Sequence, residues 1–185
     1  ILKSGGDPVE TIKKISGDFP FFESISAEVV ADDALEMVDQ AQAFKDLQNV
    51  TIKVPLTIEG LKACKLLTQD GFTVNVTLCF SVAQAVLAAK AGATYISPFV
   101  GRVDDNSFEG IGLVKDIANL YKEHMSRTQV LAASLRNVKD VAQCFSVGAD
   151  VVTMPPAIFH KMYNHILTDK GLQLFQDDWN SIKKD

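Results

Sequence analysis

Cysteine is scarce in this chain. Cys64, Cys79 and Cys144 are odd in number and scattered, and no Cys-x-x-Cys spacing occurs, which excludes a disulfide framework and a zinc ribbon. His124, His160 and His165 fall in helix patterns or at helix ends and read as structural or surface groups; no metal or diffusible cofactor is expected. No Gly-x-Gly-x-x-Gly follows a strand pattern, so a dinucleotide fold is not supported. No run of about 18 apolar residues occurs, so no spanning helix is expected. Positive charge is short: 18 Lys and Arg stand against 23 Asp and Glu, a net charge of −5, which argues against a nucleic-acid partner held by phosphate neutralisation. The opening residues carry no signal-peptide pattern, and with the cysteine usage this predicts a reducing cytoplasm. What is present is ordinary soluble composition, 47% hydrophobic and 22% charged over 185 residues. That length suits a single domain over residues 1–185 with a real core.

The organising stretch is Val50-Thr51-Ile52-Lys53-Val54-Pro55. Its alternation predicts a strand with one apolar face and one face carrying a hydroxyl and an amine. An ammonium placed in an apolar strand is costly unless paired or neutralised. Burial favours the free amine, which is a nucleophile toward ketones. The competing reading is a strand-end lysine with its head in solvent.

The rest of the chain alternates helix and strand. Asp7-Pro8 opens a helix striped by Ile12 and Ile15. Ser24–Val29 is a strand, and residues 34–47 are an amphipathic helix with Leu35, Val38, Ala41 and Phe44 on one face. After the lysine strand, Thr57 caps a helix closed by Gly71. Strands are expected over 72–78, 94–100, 129–135 and 151–154. Between and after them come helices over 81–91, 105–125, 137–147 and 156–164, then a final helix over about 168–184. Six strands separated by helices mean βαβ units and a parallel sheet, of the kind found in a closed (β/α) barrel of the TIM type. In a barrel the inward strand residues near the carboxyl ends form the site. Taking the inward parity brings Ser26, Glu28, Thr51, Lys53, Asn75, Thr77, Ser97, Phe99, Ser134 and Arg136 to one axis. Buried polar groups each need a partner, so packing does not explain so many at one depth.

At these residues the chain resembles the small transaldolase family, which includes the fructose-6-phosphate aldolases. The resemblance runs from about Ile1 to Trp179. Its motifs are Ser26-Ala27-Glu28-Val29, Ile52-Lys53-Val54-Pro55 with Thr57-x-Glu59-Gly60, and Asn75-Val76-Thr77-Leu78. They continue with Ser97-Pro98-Phe99-Val100-Gly101-Arg102, Ala132-Ala133-Ser134-Leu135-Arg136-Asn137, and Leu167-Thr168-Asp169 with Asp178-Trp179. The resemblance implies a (β/α)8 class I aldolase. Lys53 would be the Schiff-base lysine, with Glu28 and Thr77 holding and activating the catalytic water. Asn75 and Ser97 would bind the hydroxyls of a three-carbon unit, and Phe99 would close the wall. Arg102, Ser134 and Arg136 would grip the phosphates of the sugar-phosphate substrates. For Arg102, an ion pair with Asp104 or Asp105 is the competing reading.

The family begins with two further βα units, one bearing an acid/base aspartate and one ending in Thr-Asn-Pro-Ser. Neither motif is in this chain, which therefore reads as an amino-terminally truncated, incomplete barrel of about six units with an extra C-terminal helix. The implied activity is transfer of a dihydroxyacetone unit from sedoheptulose 7-phosphate or fructose 6-phosphate to an aldose phosphate, in the non-oxidative pentose phosphate pathway. Glu28, Phe99 and Arg136 favour transfer, because the aldolase branch tends to carry glutamine, tyrosine and lysine there. The alternatives are an aldolase releasing free dihydroxyacetone and an inactive sugar-phosphate-binding fragment. The final helix carries Leu172, Leu174, Phe175 and Trp179 near one stripe. By the resemblance it crosses to a neighbour in a homo-oligomer, a pentamer or decamer; packing on its own barrel is the other option. No membrane partner is expected.

Overall fold

A computed structural model describes residues 6–182. The order of elements is α1 (Pro8–Asp18), β1 (Ile25–Glu28), α2 (Ala34–Ala41) with a 3-10 turn Gln42–Phe44, β2 (Val50–Pro55), α3 (Ile58–Gln69), β3 (Thr73–Cys79) and α4 (Val82–Ala91). There follow β4 (Tyr95–Pro98), α5 (Val100–Asp105), α6 (Gly110–Glu123), β5 (Gln129–Ala132), α7 (Val138–Ser146), β6 (Val151–Val152), α8 (Pro156–Lys161) and α9 (Ile166–Ile182). All six strands are parallel and ordered β1-β2-β3-β4-β5-β6. Each neighbour in sequence is the neighbour in space, so the sheet curls as an incomplete (β/α) barrel.

The helix starts follow the capping residues. Asp7 accepts from the amides of Val9 and Glu10, with Pro8 at the first helical position. Asp33, Thr57, Ser81 and Asn137 accept amides in the same way at α2, α3, α4 and α7. Each satisfies a donor that the first turn leaves unpaired. The outward strand residues make the core: Ile52, Val54, Val74, Val76 and Ile96 are fully buried against the helices, as a parallel sheet covered on that face requires.

Several local expectations change. In α2 the buried face is Ala34, Met37 and Ala41, joined by Phe44, while Leu35 is exposed. The long helix expected from Asp105 starts only at Gly110: Asp105 is the last residue of α5, Asn106, Ser107, Phe108 and Glu109 separate α5 from α6, and Val100 belongs to α5 rather than to β4. Leu78 does not share the face of Val74 and Val76: the β3–β4 register shifts between Val76 and Cys79, and Leu78 takes a left-handed φ of 62°. The last helix starts at Ile166, not at Thr168. The imidazole Nδ1 of His165 accepts the amide of Leu167 there, so a histidine serves where Thr168 was expected. The expected end of that helix at residue 184 lies outside the described residues.

Two glycines behave oppositely. A Cβ on Gly60 would run into the carbonyl oxygen of Pro55, whereas one on Gly17 meets nothing. The first turn of α3 thus lies directly on the end of the lysine strand. Gly60→Ala should cost about 1–3 kcal/mol by overpacking, and Gly17→Ala should gain roughly 0.5 kcal/mol from helix propensity. Urea unfolding of the two variants checks both signs.

Candidate active site

The site is built on strand register. Glu28 pairs across from Lys53, and Lys53 across from Asn75. Alternation then turns all three to the barrel interior. Lys53 Nζ donates to Glu28 Oε2 at 3.2 Å, its side chain 25% exposed and that of Glu28 53% exposed. The lysine is therefore lodged in the wall with its amine reaching the opening, rather than fully solvated. One cavity of about 530 Å³ follows the inner face; Ser26, Lys53, Asn75, Thr77, Ser97 and Phe99 line it.

The inward polar groups divide by how they are satisfied. Thr51 lies in a hydroxyl ladder, 2.7 Å from Ser24 Oγ and 3.0 Å from Thr73 Oγ1, and Thr73 donates to the carbonyl of Val50. Thr51 is thus a structural tie between β2 and its neighbours. Asn75 and Ser97 are buried, and Ser97 Oγ donates to Asn75 Oδ1 at 2.7 Å. This turns the Asn75 amide and holds it as a donor toward the cavity. Thr77 is 1% exposed, lines the cavity, and has no hydrogen-bond partner for its hydroxyl among the described residues. A buried unpaired hydroxyl costs free energy.

Parity fails on β5. The strand ends at Ala132, Leu131 and Ala133 line the cavity, and Ser134 takes a left-handed φ of 62°. Ser134 and Arg136 therefore do not reach the site as strand residues. They sit on the loop after β5 at the barrel's carboxyl rim; within β5 the odd positions face the cavity while Val130 and Ala132 are packed in the core, so the even parity on which the expectation rested is the outward one. Arg136 forms a bidentate pair with Asp105, which raises its pKa further through the side-chain hydrogen bond. Arg102 lies on α5 with its guanidinium carbon 4.9 Å from the centre of the Phe99 ring, a cation–π geometry. The competing reading, an Arg102 ion pair with Asp104 or Asp105, gives way to other partners: Asp105 takes Arg136, and Asp104 accepts the amide of Gly110. Two residues missed by sequence reasoning complete the rim: Asp105 itself, and Phe80, which packs edge-on against Phe99 at 5.8 Å. Neither carried a strand-parity signal.

The three thiols take no part. Burial pushes Cys64 up to about 12 and Cys79 and Cys144 up to about 11, so all are protonated and poorly nucleophilic near neutral pH. Among the described residues no group of three His, Cys, Asp or Glu could hold a metal ion, and no helix is long and apolar enough to cross a membrane.

Fold and site together define a (β/α)-barrel protein with a lysine–carboxylate pair inside the barrel and arginines on its carboxyl rim. The chain belongs to the Transaldolase/Fructose-6-phosphate aldolase family, whose model matches residues 9–185. It is 52% identical over 180 residues to a "Probable transaldolase" of Cereibacter sphaeroides, covering 97% of this chain and 81% of that protein. A "Probable transaldolase" of Paracoccus denitrificans is 51% identical, with 97% and 82% covered. Among solved structures, a mandelate oxidase variant superposes with a TM-score of 0.56 at 14% identity, over 74% of this chain and 51% of that one. That likeness shows the barrel fold alone.

The orphan hydroxyl and the satisfied pair predict opposite stability effects. Thr77→Val should leave stability unchanged or raise it by up to about 1 kcal/mol, while Ser97→Ala, which strands the buried Asn75 carbonyl, should cost about 1–3 kcal/mol. Thermal unfolding monitored by circular dichroism measures both.

Proposed function

We propose that the protein is a transaldolase, which moves a three-carbon ketone unit from a ketose phosphate to an aldose phosphate through a Schiff base on Lys53. The observation that supports this most is the Lys53 amine in contact with Glu28 beside the unpaired Thr77 hydroxyl, on one cavity wall. Lys53 Nζ adds to the ketone carbon, forming a C–N bond and a carbinolamine. Glu28 moves the protons as the hydroxyl leaves as water and the imine forms. The Thr77 hydroxyl holds the water that relays between Glu28 and the substrate. The C3–C4 bond then breaks, its electron pair passes into the protonated imine to give an enamine on Lys53, and an aldose phosphate departs. The proton of the C4 hydroxyl goes to the acid/base aspartate that the resemblance implies for the family. Reversal with a second aldose phosphate completes the transfer. Asn75, oriented by Ser97, binds hydroxyls of the three-carbon unit, and Phe99 forms the wall. Arg102, Ser134 and Arg136 take the phosphate ends. The pathway assignment is the non-oxidative pentose phosphate pathway, in the cytoplasm, and no cofactor is needed.

The second reading is an aldolase that releases free dihydroxyacetone. Borohydride with fructose 6-phosphate should fix a sugar-derived mass on Lys53 in the full-length protein, and Lys53→Ala should abolish it. Trapping that persists in Lys53→Ala would refute the assignment. Dihydroxyacetone released without acceptor would decide for the aldolase.

We also propose a homo-oligomer, a pentamer or decamer, formed through α9. No residue of α9 is buried, and Ile166, Leu167, Leu172, Phe175 and Ile182 are all more than half exposed, an apolar exposure that a neighbouring subunit would cover. Light scattering after size exclusion, on the full-length protein and on a version ending before Ile166, is expected to show loss of assembly in the second. Monomers in both would overturn the oligomer.

A further inference from the structure

The carboxyl rim holds a charge pair of which the proposed chemistry uses only Arg136 and not its partner Asp105. Arg136 donates from Nη1 and Nη2 to both carboxylate oxygens of Asp105, at 2.5 Å each. This end-on fork is the geometry in which a guanidinium grips a phosphoryl group. The backbone enforces the meeting. Val100 N donates to the Ala133 carbonyl at 3.0 Å and Gly101 N to the Ser134 carbonyl at 3.2 Å, which ties α5 to the loop after β5. A Cβ on Gly101 would collide with the Ser134 carbonyl and lie 2.7 Å from Arg136 Nε. The Nε edge of the guanidinium therefore rests on the α5 backbone. The end-on fork is the edge open to a ligand, and Asp105 occupies it. Asp104 does not share this task, since its carboxylate accepts the amide of Gly110 at 2.8 Å. Both partners are about half exposed, 52% for Arg136 and 50% for Asp105, so the pair contributes little to folding and is open to solvent.

We infer that Asp105 is an internal competitor for the phosphate grip of Arg136, making that grip selective for dianions. This rests on the proposed reading of Arg136 as a phosphate ligand. With no sugar phosphate bound, Asp105 holds the fork extended. A phosphoryl dianion carries more charge than the carboxylate and displaces it; a monoanionic sugar acid or a neutral sugar does not. Asp105 acts through Arg136, so it is a specificity-determining residue rather than a catalytic one.

A competitor and a simple support for Arg136 predict opposite signs. The measurement is calorimetric binding of inorganic phosphate and of fructose 6-phosphate to the full-length protein, with KM and kcat alongside. The variants are Asp105→Asn, Asp105→Ser, Asp105→Glu, Arg136→Ala and the Asp105→Asn/Arg136→Ala pair. Asp105→Asn and Asp105→Ser should tighten phosphate binding and lower KM about five- to ten-fold, the order of one exposed charge-assisted contact. Turnover should stay within about two-fold, and Asp105→Glu should restore the wild-type affinity. In the Arg136→Ala background Asp105→Asn should change nothing. If Arg136→Ala weakens phosphate binding but Asp105→Asn and Asp105→Ser weaken it or leave it unchanged, the competitor is overturned while the phosphate role of Arg136 stands. If Arg136→Ala itself leaves phosphate binding unchanged, the reading of Arg136 fails and the competitor fails with it.

Discussion

Parallel register between β1, β2 and β3 is the constraint on which the site depends. Glu28, Lys53 and Asn75 stand abreast because each lies opposite the next in the ladder. A slip of one residue in β2 would turn Lys53 into the helix layer and bring Ile52 or Val54 to the axis. The buried outward residues prevent that slip: Ile52, Val54, Val74 and Val76 are all fully covered, and exchanging them for the polar set would expose apolar surface and bury charge together. The core thus holds the geometry of the candidate site as a by-product of holding itself.

Stability and chemistry are divided along the strands. Toward their amino ends the inward hydroxyls are spent on one another, in the ladder of Ser24, Thr51 and Thr73. Toward the carboxyl ends the groups are left available: a lysine in contact with one carboxylate, an amide turned by Ser97, and the Thr77 hydroxyl with nothing to bond to. This division is the one expected of a barrel in which one end serves stability and the other serves binding. The rim adds a second layer, in which the short α5 is hydrogen-bonded to the loop after β5 and places Arg102 on Phe99 and Asp105 on Arg136.

Strong periodic signals were legible in the chain because they record burial directly. The alternation at Val50–Pro55 and Thr73–Thr77 reports which face meets the helices, and the caps Asp7 and Thr57 report amides that need an acceptor. The β5 set was misplaced for a specific reason. Leu131 and Ala133 face the cavity while Val130 and Ala132 pack in the core, so the even positions carried on to Ser134 and Arg136 were the outward ones, and the left-handed turn at Ser134 then leaves the strand altogether. The face of α2 was misread because Leu35 and Met37 both suit an apolar stripe, and only the position of the sheet decides which is covered.

By itself, then, the sequence determined the βα alternation, the inward strand positions from Glu28 to Ser97 and the family of the chain, because local propensity, period and motif spacing are properties of short segments. Only the tertiary structure decided which polar groups are satisfied and which are not. It paired Arg136 with Asp105 instead of leaving Asp105 to Arg102, set Phe80 against Phe99, and left Thr77 without a partner. Both pairings join residues 31 and 19 positions apart in the chain, and no local pattern encodes a distance across a fold.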